Sequence, residues 1–507
     1  MATSFSNKQP SHAEVQSLIN LLNQGQLEET VKLGQSMRET YPTAFIVHNI
    51  LGIALDGLGD AQNAIASYQA ALNLQSNNPD LHFNLGIALA NTGRDEEAIN
   101  AYRNAIRLQP KFFEAYGNLG TILQKQGKLE EAVASYRKAI SIQADPRGYF
   151  NLGTALRDEG KLEEAIASYR QAIQMFPNYA DAHCNLGETL RDFGDMPAAV
   201  KSYQDALAIN PDHPQANYDM AEFLYLAKKY DEAVTHFYRS RIDDWFERAM
   251  YCLYKAERFD EFKEKLNEAC KAQKHTMPFL ATLSTHYAVN FGVEDQYNFC
   301  KNGFDFVYHE AIPELSAPDS PLLQQLLEDI ENTEIAARVQ GMLHHGKQSA
   351  GNLFKRPEAS FRTLGELVKK EFAKYREKFK DSDCELIKSF PEEFEFTSSW
   401  YVRMKQGGHI DQHIHEIGWI SGAVYLQMPK NKKSPEEGGF EYGIHGDNYP
   451  KKHDNFPTEV VIPKAGEIVL FPSSLFHRTI PFSADEERIC VAFDLKPSVA
   501  TTARSNY

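Results

Sequence analysis

Between residues 12 and 240 apolar positions recur at helical spacing, and the pattern copies itself along the chain. The triplet Asn-Leu-Gly stands at Asn84 to Gly86, Asn118 to Gly120, Asn151 to Gly153 and Asn185 to Gly187, preceded by Leu51-Gly52 and followed by Met220-Ala221. From Gly52 the steps are 34, 34, 33 and 34 residues, and Ala221 adds another 34. Twelve residues beyond each position lies an alanine (Ala64, Ala98, Ala132, Ala165, Ala199, Ala233), and four further on an aromatic (Tyr68, Tyr102, Tyr136, Tyr169, Tyr203, Phe237). Close helix contact explains the pattern: a small residue sits where two antiparallel helices cross, and an aromatic ring fills the gap beside it. A second glycine (Gly59, Gly93, Gly127, Gly160, Gly194) marks the turn between the helices. Residues 244–275 read as helical but off the repeat, as a cap does where a stack ends. Helices are also predicted over PLLQQLLEDIENT and ASFRTLGELVKKEFAKYREKF, with HHGKQSAGNLF as a loop between them and both helices outside the sheet that follows. From Phe394 the period changes to short alternating segments, FTSSWYVRMK, GWISGAVYLQMP, GGFEYGI, TEVVIPKAGEIVLFP and RICVAFDL, which predict an antiparallel sandwich or barrel. The expected plan is an unstructured lead (1–11), an all-α array with its cap (12–275), an α+β domain (276–498, β core 394–498) and a tail (499–507).

The period and its fixed positions resemble the tetratricopeptide repeat, over roughly residues 12 to 240, with Gly25 and Thr30 fitting a degenerate first repeat. The resemblance implies a superhelical scaffold that binds a protein or peptide partner. Asn84, Asn118, Asn151 and Asn185 share one position in successive repeats and are expected to form a ladder on one face. An amide side chain both donates to and accepts from a peptide backbone, so such a ladder grips a chain without reading its sequence. A similar ladder occurs in the O-linked N-acetylglucosamine transferases. The plainer alternative is an asparagine tolerated at a solvated consensus position.

Charge narrows the partners. A formal net charge of -16 argues against general binding to nucleic-acid phosphates. The six cysteines form no C-x-x-C pair and fit free thiols in a reducing compartment. Neither a leader nor an apolar run of membrane-spanning length is evident, so the expectation is a cytoplasmic protein without membrane contact.

Candidate chemistry concentrates in GGHIDQHIHEIGWISGAVYLQMP, which has the density of a metal site. In a strand, i and i+2 share a face, so His413 and His415 are expected to point inward together while Ile414 turns away. His477 is a third candidate, and Arg488, a lone cation in the alternating strand RICVAFD, follows eleven residues later. His409-Ile410-Asp411 is a rival pair on the same strand face. His344 and His345 read as a solvated loop pair.

The order G-G-H-x-x-x-H-x-H is similar to the start of the site in the prolyl hydroxylases, among the double-stranded β-helix (jelly-roll) oxygenases that use Fe(II) and 2-oxoglutarate. The chain most resembles a subfamily with H-x-H, S-G-x-x-Y, P-K-A-G-x-x-x-x-F-P and a distal His. Here these are His413 to His415, Ser421 to Tyr425, Pro463 to Pro472, and His477. The resemblance spans about residues 340 to 498. It implies a 2-oxoglutarate-dependent dioxygenase, a hydroxylase that couples decarboxylation of 2-oxoglutarate to oxidation of a C–H bond, with ascorbate as a further candidate cofactor. His413, His415 and His477 would be the metal ligands, Arg488 the clamp on the far carboxylate of the cosubstrate, and Tyr401, Ser421 and Tyr425 further members of that pocket. His409 and Asp411 stay open as alternative ligands. Most relatives have H-x-D where this chain has H-x-H, and many have R-x-S where Arg488 is followed by Cys490. The lysine-bearing loops 429–438 and 449–457 are expected near the barrel mouth, as substrate covers or as solvated loops. Two other functions stay open: an oxygenase acting on a small molecule, with the repeats serving assembly, and a non-catalytic scaffold with a relic or cupin-like barrel.

Overall fold

The structure, a computed structural model, describes residues 8–497 apart from 243, 273–275, 333–336, 339–340, 391–393 and 417. The tail 499–507 and the first seven residues of the lead lie outside the described residues. Within the lead, Ser11 is structured: it closes a capping box with Glu14 at the start of the helix His12–Asn23. The chain divides into two compact units, 1–223 and 224–507. The expected boundary at 275/276 falls inside the second unit, between the helices Phe259–Lys271 and Pro278–Phe291.

The first unit is a stack of antiparallel helix pairs, of which Pro79–Asn91 with Asp95–Leu108 and Phe113–Lys125 with Leu129–Ile142 are representative. Tyr68, Tyr102, Tyr136, Tyr169 and Tyr203 are buried in one continuous core with the repeat alanines and leucines. The glycine of each triplet makes room for the tyrosine of its own repeat. A Cβ on Gly86 would lie 2.5 Å from a carbon of the Tyr102 ring, closer than any side chain tolerates. Gly93 turns the chain with φ +74°, the left-handed region that glycine occupies at least cost. The four asparagines are half-buried, and two of them lie near a tyrosine hydroxyl of the preceding repeat, Asn118 near Tyr102 and Asn185 near Tyr169.

Among the described residues of the second unit, ten strands form two antiparallel sheets of jelly-roll type. They are β1 (Tyr308–Ala311), β2 (Ala337–Arg338), β3 (Leu343–Ser349), β4 (Phe394–Ile410), β5 (Ile420–Gln427), β6 (Phe440–Gly443), β7 (Thr458–Val461), β8 (Glu467–Pro472), β9 (Phe476–Thr479) and β10 (Arg488–Pro497). The larger sheet has the order β1-β8-β5-β10-β4-β3-β2, the smaller β7-β6-β9. Their inner faces share a core in which Phe440 meets Phe471 at 4.7 Å between ring centroids. On the outer face of the larger sheet, Phe372 of the helix Ala359–Phe379 packs on Phe396 and Phe493, as the spacing of that helix predicts. The segment HHGKQSAGNLF, expected as a loop, instead supplies β3. The 17-residue β4 extends past its other neighbour and gives this polar stretch a strand to pair with.

Helices also buttress the barrel from the other side. Tyr251 and Lys255, on the helix Trp245–Lys255, bond Asp447 (2.6 Å to its carboxylate and 2.7 Å to its carbonyl). Buried His286 joins Tyr254 at 2.6 Å to His445 at 2.9 Å. Asn290 holds both Pro450 O and Lys452 N, so the loop 449–457 is anchored to the helix Pro278–Phe291 and is not a free cover.

Candidate metal and cosubstrate site

β10 organises the site. Its alternation turns Arg488, Cys490, Ala492 and Asp494 to the inner face, opposite Met404, Val402, Trp400 and Ser398 of β4. Beyond Ile410 the chain leaves the larger sheet and bridges to the smaller one: His413 N donates to His477 O at 3.0 Å and His477 N to His413 O at 2.9 Å. His413 and His415 therefore do not share a face of one strand as expected. They follow the end of β4, and it is the bridge that carries His413 over to His477.

Each imidazole is oriented by an acceptor behind its Nδ1. His413 Nδ1 donates to Asp411 O at 2.8 Å and His477 Nδ1 to Leu475 O at 3.2 Å, while His415 Nδ1 faces the Asp494 carboxylate. A carbonyl or carboxylate only accepts, so the proton sits on Nδ1 and Nε2 is left with its lone pair. The Nε2 atoms of His413 and His415 stand 3.3 Å apart, and the three histidines offer ligand atoms all within 4.8 Å of one another. Burial, with His415 beside it, pushes His413 down to about 4, and burial with both neighbours holds His477 well below the usual imidazole value. Rings that turn their Nε2 atoms toward one another suit a cation between them. Sequence reasoning missed Asp494. Burial alone would raise its carboxyl, but His415 and the hydroxyls of Ser421 (2.7 Å) and Ser398 (3.3 Å) hold it below the ordinary range. The signal was available, since Asp494 is an acid on the inward-facing positions of an apolar strand. A carboxylate behind an imidazole raises its basicity as a ligand.

One cleft contains these histidines together with Arg488, Tyr425, Cys490 and Gln348. Arg488 is 2% exposed. Its Nε donates to Gly438 O at 3.0 Å, its Nη1 points at the sulfurs of Met404 and Cys490, and its guanidinium lies 5.1 Å from the Tyr425 ring centroid. Among the described residues no carboxylate pairs with it. The loop 429–438 thus borders the cleft through Gly438, and burial with the Arg488 charge lowers Lys432 on that loop.

Two expected pocket members lie elsewhere. Tyr401 falls on the other face of β4 from Trp400 and Val402 and does not line the cleft; the two-residue alternation of the strand decides this. Ser421 bonds Asp494 and Ser473 and so supports His415. The rival residues form a separate cluster. His344 stacks on His409 at 4.4 Å and bonds Asp411 at 2.9 Å, so His344 is engaged on a strand while its side chain stays partly exposed.

Residues 398–494 match the family described as "Putative 2OG-Fe(II) oxygenase". Residues 58–93, 91–127 and 153–191 match a TPR repeat family, and 113–145 and 190–237 match two families described as tetratricopeptide repeat. The chain carries tetratricopeptide repeats followed by a 2OG-Fe(II) oxygenase-type domain. The domain supports a general oxygenase role and implies Fe(II) and 2-oxoglutarate; it does not bear on ascorbate. The repeats point to protein or peptide binding. No curated protein matches the chain. Among solved structures it is similar to YrrB, described as a TPR protein with an unusual peptide-binding site (24% identity, 36% of this chain and 95% of that one, TM-score 0.33). It is also similar to PilF of Pseudomonas aeruginosa (21%, 41% and 96%, 0.37) and to part of a TPR protein from Cytophaga hutchinsonii (14%, 46% and 98%, 0.40). No helix among the described residues is long and apolar enough to cross a membrane.

Proposed function

We propose that the chain is a hydroxylase dependent on Fe(II) and 2-oxoglutarate. His413, His415 and His477 hold the metal, Arg488 binds the far carboxylate of the cosubstrate, and the repeats recruit a protein or peptide substrate. One observation carries the reading: a single cleft contains three imidazoles whose Nδ1 atoms each face an acceptor, which leaves the Nε2 atoms free to ligate, and a buried guanidinium that no carboxylate among the described residues pairs with. A cation relieves the first and a carboxylate the second.

When bound, iron and 2-oxoglutarate supply dioxygen activation, with the balance R–H + O2 + 2-oxoglutarate giving R–OH + succinate + CO2. The chain's own residues bind, orient and exclude water. Asp494 keeps the His415 proton on Nδ1, and Ser421 and Ser398 hold Asp494 in place. Tyr425 supports the guanidinium face. Phe440 and Phe471 wall the cleft against water. The cluster of His344, His409 and Asp411 is half-exposed and does not line the cleft that contains Arg488 apart from its neighbour Ile410, which favours the three-histidine set.

Anaerobic titration of the full chain with Fe(II) and then 2-oxoglutarate tests the proposal. The expected result is the weak visible charge-transfer band of the ternary complex, followed by succinate on admission of oxygen. If no band forms at millimolar concentrations of both, the proposal fails.

A further inference from the structure

The cleft contains a polar group with no task in the chemistry above. Gln348, on β3, is 5% exposed and lines the cleft, and its Oε1 is buried without a hydrogen-bond partner. The strand register places it. Gln348 pairs with Val402, and Val402 with Cys490, so the three side chains form one row across the inner face of the sheet. At the far end of that row the Arg488 guanidinium rests 3.5 Å from Cys490 Sγ. Strands lie about 4.8 Å apart, so Gln348 stands roughly 10 Å across the sheet from the carboxylate clamp, in the same cleft.

Folded proteins leave few buried amide oxygens without a donor, and one that persists needs a physical reason. The cosubstrate does not provide it, because ionised 2-oxoglutarate has only acceptor oxygens and Gln348 Oε1 needs an N–H or O–H. A charged donor is disfavoured too. None of the described residues lining the cleft is a carboxylate, so an ammonium or guanidinium brought in by a substrate would be buried beside Arg488 without a counter-ion. An uncharged amide fits best: its N–H satisfies Oε1, and its carbonyl accepts from the other end of the same carboxamide.

Resting on the hydroxylase reading above, we propose that Gln348 is a specificity-determining residue for the primary substrate. Its carboxamide pairs with an uncharged amide, a peptide-backbone unit or a side-chain carboxamide, held beside the metal.

The test uses the full chain with Gln348→Met, which keeps the size of the side chain and removes both polar ends. Removing an unpartnered polar group should raise the thermal midpoint of the ligand-free protein by about 2 °C. Under argon, the dissociation constants for Fe(II) and 2-oxoglutarate should stay within about threefold of wild type. With blocked hexapeptides identical except for a central Asn, Gln, Leu, Lys or Asp, wild type should form succinate about tenfold faster with the Asn and Gln peptides, a preference lost in Gln348→Met. A lowered midpoint would mean that the amide serves the fold, and a raised 2-oxoglutarate constant that it serves the cosubstrate; either overturns the proposal. A preference for the Lys or Asp peptide, or stimulation by none of the five, overturns the substrate class. Failure of the hydroxylase reading looks different, because wild type itself would then give no ternary band.

Discussion

His413, His415 and His477 are each locked in one tautomer by a different acceptor, and a three-ligand site has no spare ligand. Replacing any one of them with alanine should abolish Fe(II) binding and succinate formation, whereas His409→Ala and Asp411→Ala should keep the metal; Asp411 contributes only its backbone carbonyl to His413. Asp494→Asn should weaken metal binding about 10–100-fold, the usual effect of losing a partner behind a ligating histidine. Metal content after dialysis, with succinate yield, decides the register: loss in Asp411→Ala and retention in His415→Ala would reverse it. Arg488→Ala removes one side of a buried guanidinium–carboxylate pair, a change of roughly 3–5 kcal/mol. The apparent 2-oxoglutarate constant should then rise at least about a hundredfold with metal affinity unchanged, and an unaltered cosubstrate dependence would remove Arg488 from the site. At this scale the sequence was informative where chemistry forces residue type. Histidines at metal-site density and a cation in an apolar strand are costly to bury unless a ligand of opposite character meets them, and both fall in the cleft. Tyr401 and Ser421 were expected in the pocket from the family resemblance, but which face a strand residue occupies depends on register, and register is set by partners distant in the chain.

The same limit operates on whole elements. The helices and the five alternating segments were legible because their periods are intrinsic to the sequence. β3 was not, since His344, His345, Gly346 and Lys347 carry little strand propensity and are strand only because β4 lies beside them. Gln348 was hidden with it. The helix Pro278–Phe291 gives a measurable consequence of such packing. Burial, reinforced by His445, His453 and Lys255, pushes His286 down to about 3, whereas in the unfolded chain a histidine titrates near 6.5. Between these values the unfolded state binds the extra proton, so stability is fully present above about pH 6.5 and falls as pH drops toward 3. His413, pushed down to about 4, acts in the same direction. By pH 5 the loss from His286 alone is about 2 kcal/mol. Urea unfolding of the metal-free protein should show a midpoint that declines from pH 7 to pH 5, with a shallower decline in His286→Phe. An equal slope in the two proteins would show that His286 is not the group responsible.

At the scale of the whole molecule, the proposed function assigns recruitment to the repeats and chemistry to the barrel, and the two compact units suggest where to cut. A fragment beginning at 276 keeps every strand but removes the helix Trp245–Lys255, and with it the Tyr251 and Lys255 bonds to Asp447, the Tyr254 bond to His286 and the Arg248–Glu416 ion pair next to His415. It should be less soluble and bind Fe(II) more weakly than a fragment of residues 224–507, which keeps them all. In the full chain, replacing Asn84, Asn118, Asn151 and Asn185 together with alanine should weaken capture of a protein substrate. Each lost hydrogen bond is worth about 0.5–1.5 kcal/mol. Because Asn118 and Asn185 also lie near the hydroxyls of the buried Tyr102 and Tyr169, the quadruple variant needs a thermal-unfolding control, and Asn84→Ala with Asn151→Ala forms the cleaner pair. Slow decarboxylation of 2-oxoglutarate without substrate should persist in both variants and in the 224–507 fragment, since it needs only the barrel. If that fragment turned over a protein substrate with the same specificity constant as the full chain, the repeats would not present substrate, and an oxygenase acting on small molecules would become the better reading.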